Sequence, residues 1–254
     1  MVTVTFYEKI PTMFKKLSLF VATLMVIITS ACAQTTKKMV FDGAAEDRNL
    51  AGFTSINVSN AFDVYISQGT EDAVAVSKND ASGTSYIITN VSGGVLYISY
   101  RYKGWSWSSL RNNKLKAYIT VKNLEKLTVS GACNVSFVDA ITSNNLHISV
   151  SGASDIKGSV KVNSLKVGAS GASNISLSGK ATNTDFNVSG ACSIKSLDLV
   201  TDNSTIVASG ASNVKLTINQ YLKANISGAS DIRYKGTVSR FETRTSGASD
   251  IKPY

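Results

Sequence analysis

Apolar and polar residues alternate with a period of two along much of this 254-residue chain. Leu146, Ile148 and Val150 show the pattern, with one polar residue between each pair. Such alternation is typical of a β-strand with one buried face, because successive side chains of a strand point to opposite sides. The C-terminal half shows no i, i+3, i+4 spacing of apolar residues, which an amphipathic helix would need. The pattern therefore predicts an all-β fold.

The alternation is interrupted by seven copies of one six-residue phrase, which reads SGAS(D/N)I in its commonest form. The copies begin at Ser130, Ser151, Ser170, Ser189, Ser209, Ser227 and Ser246. Successive copies start 18 to 21 residues apart, and a near-constant period means that each repeat builds one unit stacked on the next. A unit of ~19 residues has room for two or three short strands. We therefore expect residues 130–254 to form a right-handed parallel β-helix of about seven coils.

The phrase itself predicts a corner, with strand before it and strand after it. We number its positions from the first serine, which is position 0. The glycine at position 1 is expected to supply a positive φ or a close approach between coils. The alanine at position 2 is expected at a crowded corner that admits no larger side chain. Positions 3, 5 and 7 should point into the core, and positions 4 and 6 should face solvent.

Residues 50–129 follow the same plan less regularly, and we expect them to form an irregular β cap and the first coils. Residues 59–64 read SNAFDV, a degenerate copy of the phrase in which Asn60 replaces glycine. A solenoid needs a capping element at the open end of its core, and this segment is the natural candidate. Proline is absent between residues 12 and 252, as continuous ladders favour, and Pro253 is expected to blunt the C-terminal edge.

Residues 1–33 have the features of an export signal. Lys15 and Lys16 precede an apolar run over residues 17–28, and Ala31-Cys32-Ala33 follows that run. A charged start, a short apolar stretch and a small-residue cleavage site define such a signal. The run is shorter than the ~20 residues that span a bilayer. Met13 stands where the signal would naturally begin.

Two alternative mature N-termini are compatible with this signal. Cleavage after Ala33 would release a soluble protein that starts at Gln34. The same stretch also looks like a bacterial lipoprotein signal, in which Cys32 would carry the lipid and provide the only link to a membrane. In both cases we expect export to the cell envelope (outer membrane or periplasm) or to the cell surface, with residues 34–49 as a flexible segment.

The net charge of the chain narrows the choice of binding partner. The chain has 26 Lys and Arg, 17 Asp and Glu, and a net charge of +9. Positive charge alone suggests nucleic acid, but export argues against that partner and favours an envelope or extracellular polyanion.

Cys133 and Cys192 both stand at position 3, three repeats apart. Stacking puts them roughly 14 Å apart, beyond the ~7 Å limit of a disulfide, so two free buried thiols are expected.

Outward positions carry the charges of the repeat. Position 6 is basic in each of the last four coils and predicts a vertical stripe at roughly 5 Å spacing, formed by Lys195, Lys215, Arg233 and Lys252. Such a stripe could follow an extended polyanion, for instance an acidic polysaccharide. The simpler interpretation is a solvated face with weak ion pairs of ~0–1 kcal/mol between positions 4 and 6 of one coil. The expected pairs are Asp155–Lys157, Asp231–Arg233 and Asp250–Lys252.

An aromatic segment interrupts the irregular half and is the second candidate for recognition. It contains Tyr97, Tyr100, Tyr102, Trp105 and Trp107. Exposed Trp and Tyr side chains stack on sugar rings and anchor interfaces. The alternative is that alternate members, Tyr100 and Tyr102 included, cap the solenoid core.

Catalytic chemistry has little support in the sequence. No nucleophile elbow, phosphate loop or zinc-ligand motif occurs, and we predict no catalytic residue, metal or cofactor. Asp231 and Asp250 would lie about 5 Å apart, as the carboxylates of some glycosidases do, but each has its own cation. His147 should face outward on a strand without the partners of a metal site.

Several segments in order resemble the head GIN domain family of auto-transporter-adhesin-like proteins. They are the export signal, residues 52–58 (GFTSINV), residues 61–69 (AFDVYISQG) and the repeated phrase. The resemblance implies an exported β-helical protein of the Bacteroidetes with adhesin-like character. The leading hypothesis is therefore a non-enzymatic envelope or surface protein that binds a glycan or another envelope component. The alternatives are a carbohydrate-active β-helix enzyme (polysaccharide lyase or hydrolase) and a purely structural envelope lipoprotein.

Overall fold

The alternating segments form parallel strands that stack coil upon coil and wind into a β-solenoid of about seven turns. The computed structural model describes residues 45–78, 81–101 and 115–254, with the backbone alone at 81–83. Within these residues all strands belong to one 17-stranded sheet. The predicted all-β solenoid is confirmed.

The strands fall into an irregular group before residue 126 and a regular group after it. The irregular group comprises β1 (Glu46–Asp47), β2 (Ser55–Val58), β3 (Phe62–Gln68), β4 (Ala73–Lys78), β5 (Ile87–Ser92), β6 (Val95–Tyr100) and β7 (Leu115–Val121). The regular group comprises β8 (Lys126–Val129), β9 (Asn134–Phe137), β10 (Ile141–Val150), β11 (Asp155–Ala169), β12 (Asn174–Val188), β13 (Ser193–Ala208), β14 (Asn213–Ile226), β15 (Asp231–Lys235), β16 (Arg240–Thr245) and β17 (Asp250–Pro253). A short 3-10 helix, Ala81–Tyr86, precedes β5.

Each central coil is one long strand that bends, and the expected division into two or three short strands is wrong. β11 and β12 each run for 15 residues and pair in register from Asp155↔Asn174 to Ala169↔Val188. The ladder continues through the bends because the neighbouring coil bends at the same place. Coils of unequal length are accommodated by register shifts, for example between Ile175 and Gly179 of β12.

The phrase forms a sharp corner in each regular coil. Gly171 has φ +81°, and a Cβ atom at this residue would lie 2.4 Å from the carbonyl oxygen of Gly152 in the preceding coil. The ladder also crosses the corner, since the Ala172 amide donates to that same oxygen at 2.8 Å. Both expected roles of the glycine therefore occur together. The expectation for the alanine is wrong: it is exposed in every copy, because position 2 points out of the bend.

The first half contributes a coil whose place in the stack differs from its place in the sequence. The coil of β2 and β3 lies between the coil of β6 and β7 and the coil of β8 and β9. Its corner is the degenerate phrase, where Asn60 has φ 79° and its carbonyl oxygen accepts the Ala132 amide at 2.7 Å. Asparagine fits here because its Oδ1 accepts the backbone N–H of Tyr100 at 2.9 Å.

Antiparallel strands cover the N-terminal end of the solenoid. β5 pairs with β6, β4 pairs with β7, and β1 pairs with β4, all antiparallel. The opposite end has a different character, because every residue of β16 is exposed. Phe241 on β16 is 48 % exposed although it stands in register with the buried Leu222. The two ends of the core are therefore closed in different ways.

Candidate functional site

Position 3 lies inside the corner and serves the scaffold. The hydroxyl of Ser173 donates to the carbonyl oxygens of Ser170 at 3.1 Å and Gly152 at 3.3 Å. Cys192 takes the same place in its own coil, with Sγ 3.2 Å from the Ser189 carbonyl oxygen. Cys133 and Cys192 are buried and unpaired, as predicted. Burial raises the pKa of the Cys133 thiol, which suits packing rather than nucleophilic chemistry.

We predict that Cys133 and Cys192 resist alkylation in the native protein. Only the thiolate reacts, and burial excludes the reagent from both side chains. Burial also raises the pKa of the Cys133 thiol. N-ethylmaleimide labelling at pH 7.5, followed by peptide mass spectrometry, should show at least about a hundredfold slower modification than in 6 M guanidinium, given a conformational opening cost of several kcal/mol. Native labelling at the unfolded rate would contradict the buried placement.

Position 4 carries a column of amides and carboxylates that bond from coil to coil. Asn174 Nδ2 donates to Asp155 Oδ1 at 2.8 Å, and Asn134 Nδ2 donates to Asp63 Oδ1 at 2.8 Å. The expected Asp155–Lys157 pair is not among the ion pairs of the described residues, since Asp155 is bonded to the next coil instead. The partner of the Asp155 carboxylate thus lies in the neighbouring coil and not in its own coil.

The two other expected ion pairs are present. Arg233 Nε lies 3.2 Å from Asp231 Oδ2, and Lys252 Nζ lies 2.5 Å from Asp250 Oδ2. Arg233 also reaches Asp250, with Nη2 3.8 Å from Oδ2. The hydrogen bond from Lys252, supported by the charge of Arg233, lowers the pKa of the Asp250 carboxyl. Both carboxylates are therefore held by cations of the column beside them.

The four predicted basic residues do stand in one column. Register pairs Lys195 with Lys215, Lys215 with Arg233, and Arg233 with Lys252. The aromatic ring of Tyr254, which sequence reasoning missed because it follows the last phrase, lies 5.3 Å from Lys215 Nζ. Within the described residues, no ion pair reaches Lys195 or Lys215. We call these four residues the basic column.

The structure separates the two described members of the aromatic segment. Tyr97 on β6 is 43 % exposed, in register with Asn57. Tyr100 packs against the core, meets the Tyr86 ring edge-on at 6.3 Å and holds Lys78 Nζ at 3.3 Å from its hydroxyl. Its contacts are those of a cap residue. Tyr102, Trp105 and Trp107 lie outside the described residues, as do Cys32 and the expected signal over 1–33.

A polar groove that the sequence did not reveal lies on the face before the corner. Its volume is about 690 Å³, and its walls include Asn123, Glu125, Ser143, Asn145, His147, Ser164 and Lys166. His147 faces outward, as expected, and stands in register between Lys126 and Lys166. Partial burial, and then the two lysine charges, lower the pKa of His147. The signal in the sequence was the polar run over 143–145, which breaks the alternation.

In the part of the chain that the structure describes, no three His, Cys, Asp or Glu side chains come together in a way that could hold a metal ion. Nor does any helix there have the length and apolar character needed to cross a membrane.

The fold and these surfaces define a β-solenoid that presents in-register columns of side chains on its outside. The chain belongs to the family described as "Putative auto-transporter adhesin, head GIN domain", whose model matches residues 52–238. The resemblance seen in the sequence is thereby confirmed. No functionally curated protein matches the chain.

Several solved bacterial structures share the fold. A "putative adhesin" from Bacteroides fragilis is 20 % identical with a TM-score of 0.75, over 83 % of this chain and 96 % of that one. A "putative adhesin" from Parabacteroides merdae is 16 % identical with a TM-score of 0.65, over 83 % and 95 % of the two chains. A "putative lipid binding protein" from Parabacteroides distasonis is 21 % identical with a TM-score of 0.63, over 84 % and 98 %. At these identities the likeness concerns the fold alone.

Proposed function

We propose that this protein is an exported, non-enzymatic binding protein of the cell envelope or surface, and that its basic column binds an extended polyanion. The observation that carries the proposal is the register of Lys195, Lys215, Arg233 and Lys252 on successive coils. Coils stack at ~4.8 Å, so the column presents cations at regular intervals to a polymer with repeated negative groups. Membership of an adhesin-like family supports a binding role.

The members of the column contribute unequally. Arg233 and Lys252 are held by Asp231 and Asp250, so their charges are partly neutralised. Lys195 and Lys215 pair with no carboxylate of the described residues and should provide most of the attraction. An acidic polysaccharide, which repeats negative charge along an extended chain, is a partner of the kind that this arrangement would attract.

Charge reversal tests the column. We expect Lys195→Glu with Lys215→Glu to weaken binding to dextran sulfate about tenfold, or about 1.4 kcal/mol, and to lower the salt concentration that elutes the protein from dextran-sulfate agarose. Lys161→Glu with Lys180→Glu is the matched control, because these lysines also stand in register on neighbouring coils, at exposed positions outside the column. Equal loss in both variants, or no loss in either, would refute the column.

Location is the second part of the proposal. Fractionation of cells, followed by protease treatment of intact cells, should place the protein in the envelope. The mass of the mature N-terminus distinguishes a lipidated Cys32 from a free Gln34. Recovery of the full-length chain from the cytoplasm would remove the basis for an adhesin-like role.

The enzyme alternative rests on Asp231 and Asp250, which pair in register on neighbouring coils. A glycosidase needs one of its two carboxyls protonated near neutral pH, so its pKa must be raised. Here Lys252 and Arg233 lower the pKa of Asp250 instead. Arg233 also lies within ion-pair distance of both carboxylates. This arrangement favours binding over hydrolysis, and an assay of polysaccharide turnover on the same purified protein separates the two.

A further inference from the structure

We propose that the polar groove beside His147 is a second binding site, which takes an acidic sugar residue of a glycan. This inference rests on the proposed function, because it assigns the binding protein a specific glycan subsite. The groove lies on the face before the corner, whereas the basic column follows the corner. The two surfaces can therefore be tested separately.

Three successive levels of chain build the groove. Asn123 and Glu125 lie in the connection between β7 and β8, His147 lies on β10, and Lys166 lies on β11. The His147 amide donates to the Glu125 carbonyl oxygen at 2.8 Å, which fixes the connection against the strand. A volume of about 690 Å³ falls within the ~300–1,000 Å³ range of small-molecule sites and has room for a short saccharide.

The lining has the chemistry of sugar recognition. Asn123, Asn145 and Ser164 offer amide and hydroxyl groups that both donate and accept, as sugar hydroxyls require. The Glu125 carboxylate adds an acceptor, and Thr54 Oγ1 orients it by donating to its Oε2 at 3.3 Å. Polar groups from separate levels converge on one space, which is how a site fixes the orientation of its ligand.

Charge at one wall selects an acidic sugar over a neutral one. Lys126 and Lys166 stand on either side of His147 in register, about 4.8 Å away per coil. The only carboxylate of the described residues paired with Lys166 is exposed Asp185, at 3.7 Å between Nζ and Oδ2, and such an exposed pair is weak. A sugar carboxylate placed here would face the Lys166 ammonium group and the His147 imidazole. Lys126, on β8 beside His147, lies outside the lining and adds positive charge nearby, while Glu125 remains for a hydroxyl.

The one histidine of the chain provides a direct readout. We expect the imidazole C–H resonances to shift saturably when D-glucuronate is added, because no other imidazole contributes to the spectrum. We also expect glucuronate to raise the pKa of His147, since a nearby carboxylate favours the protonated ring against the effects of Lys126, Lys166 and burial, and adds to that of Asp185. Glucose tests the need for the acid, and acetate tests the need for the sugar.

A matched pair of variants places the effect in the groove. Lys166→Gln should weaken glucuronate binding at least about tenfold, and Lys180→Gln, on another exposed position of the solenoid, should leave it unchanged. The groove would be overturned if glucuronate caused no saturable shift of the His147 resonances, or if acetate caused an equal shift. It would also be overturned if Lys166→Gln bound glucuronate as tightly as the unmutated protein. Dextran sulfate carries no uronate, so an unmutated protein that binds dextran sulfate but not glucuronate would refute the groove and leave the basic column standing.

Discussion

Gly171→Ala is expected to destabilise the protein by about 3 kcal/mol, through two costs that act at the same atom. A left-handed backbone costs a non-glycine residue about 1–2 kcal/mol, and Gly171 has φ +81°. The new Cβ would also lie 2.4 Å from the Gly152 carbonyl oxygen, which is fixed because it accepts the Ala172 amide. Relieving an overpacked contact of this kind typically costs about 1–3 kcal/mol.

Two further glycines separate these costs. Gly52 has φ +79°, but no atom lies within 4 Å of the place that a Cβ would take, so Gly52→Ala should cost only about 1–2 kcal/mol. Gly168, three residues before Gly171, has neither the left-handed φ nor a contact, and Gly168→Ala should be neutral or stabilise by up to about 1 kcal/mol. Urea denaturation followed by circular dichroism measures all three. If Gly171→Ala lowered the free energy of unfolding by no more than Gly52→Ala, the close approach of residue 171 to the Gly152 carbonyl oxygen would contribute nothing to the cost.

This corner also shows what the sequence could reveal about the fold. A phrase repeated every 18 to 21 residues predicts stacking, and alternation on both sides predicts which positions point inward. The outward direction of the alanine could not be read in this way, because it depends on the geometry of the bend. The same holds for the length of each strand, which depends on whether hydrogen bonds continue through the gentler bends of the coil.

The order of the first coils could not be predicted, for a physical reason. Alternation in β4 to β7 is compatible with parallel and antiparallel partners alike, since both bury the same face. The structure uses both, with β6 parallel to β2 but antiparallel to β5. Tertiary pairing, and not local pattern, therefore inserts the coil of β2 and β3 between its two neighbours.

The basic column and the groove beside His147 also differ in how far the sequence predicts them. The basic column was predictable because equal offsets in a repeat place equal positions in register. The groove was not, because it forms where the repeat fails: at the connection that carries Asn123 and Glu125, and at the polar run of β10. Departures from a repeat are thus the places where a structure adds most to its sequence.

Phe186→Ala should have an effect of similar size in the middle of the stack, at about 3–5 kcal/mol. Phe186 is fully buried on β12, in register with Val167 of one neighbouring coil and Ile206 of the other. Removing its ring leaves a cavity that close-packed neighbours cannot fill. In a solenoid each coil is stabilised by its neighbours, so one cavity weakens the interfaces on both sides of β12.

Phe241→Ala is the control that isolates burial, because it makes the same chemical change on β16. Phe241 is 48 % exposed and contacts the ring of Tyr234 at 5.6 Å, so its loss should cost about 1 kcal/mol. Thermal and urea denaturation of both variants would measure the difference. Equal costs would mean that the end of the solenoid is as tightly packed as its middle. A much larger cost for Phe186→Ala is expected because the central coil of β12 packs against a buried coil on each side. The interior coils would then contribute more to the stability of the solenoid than its C-terminal end.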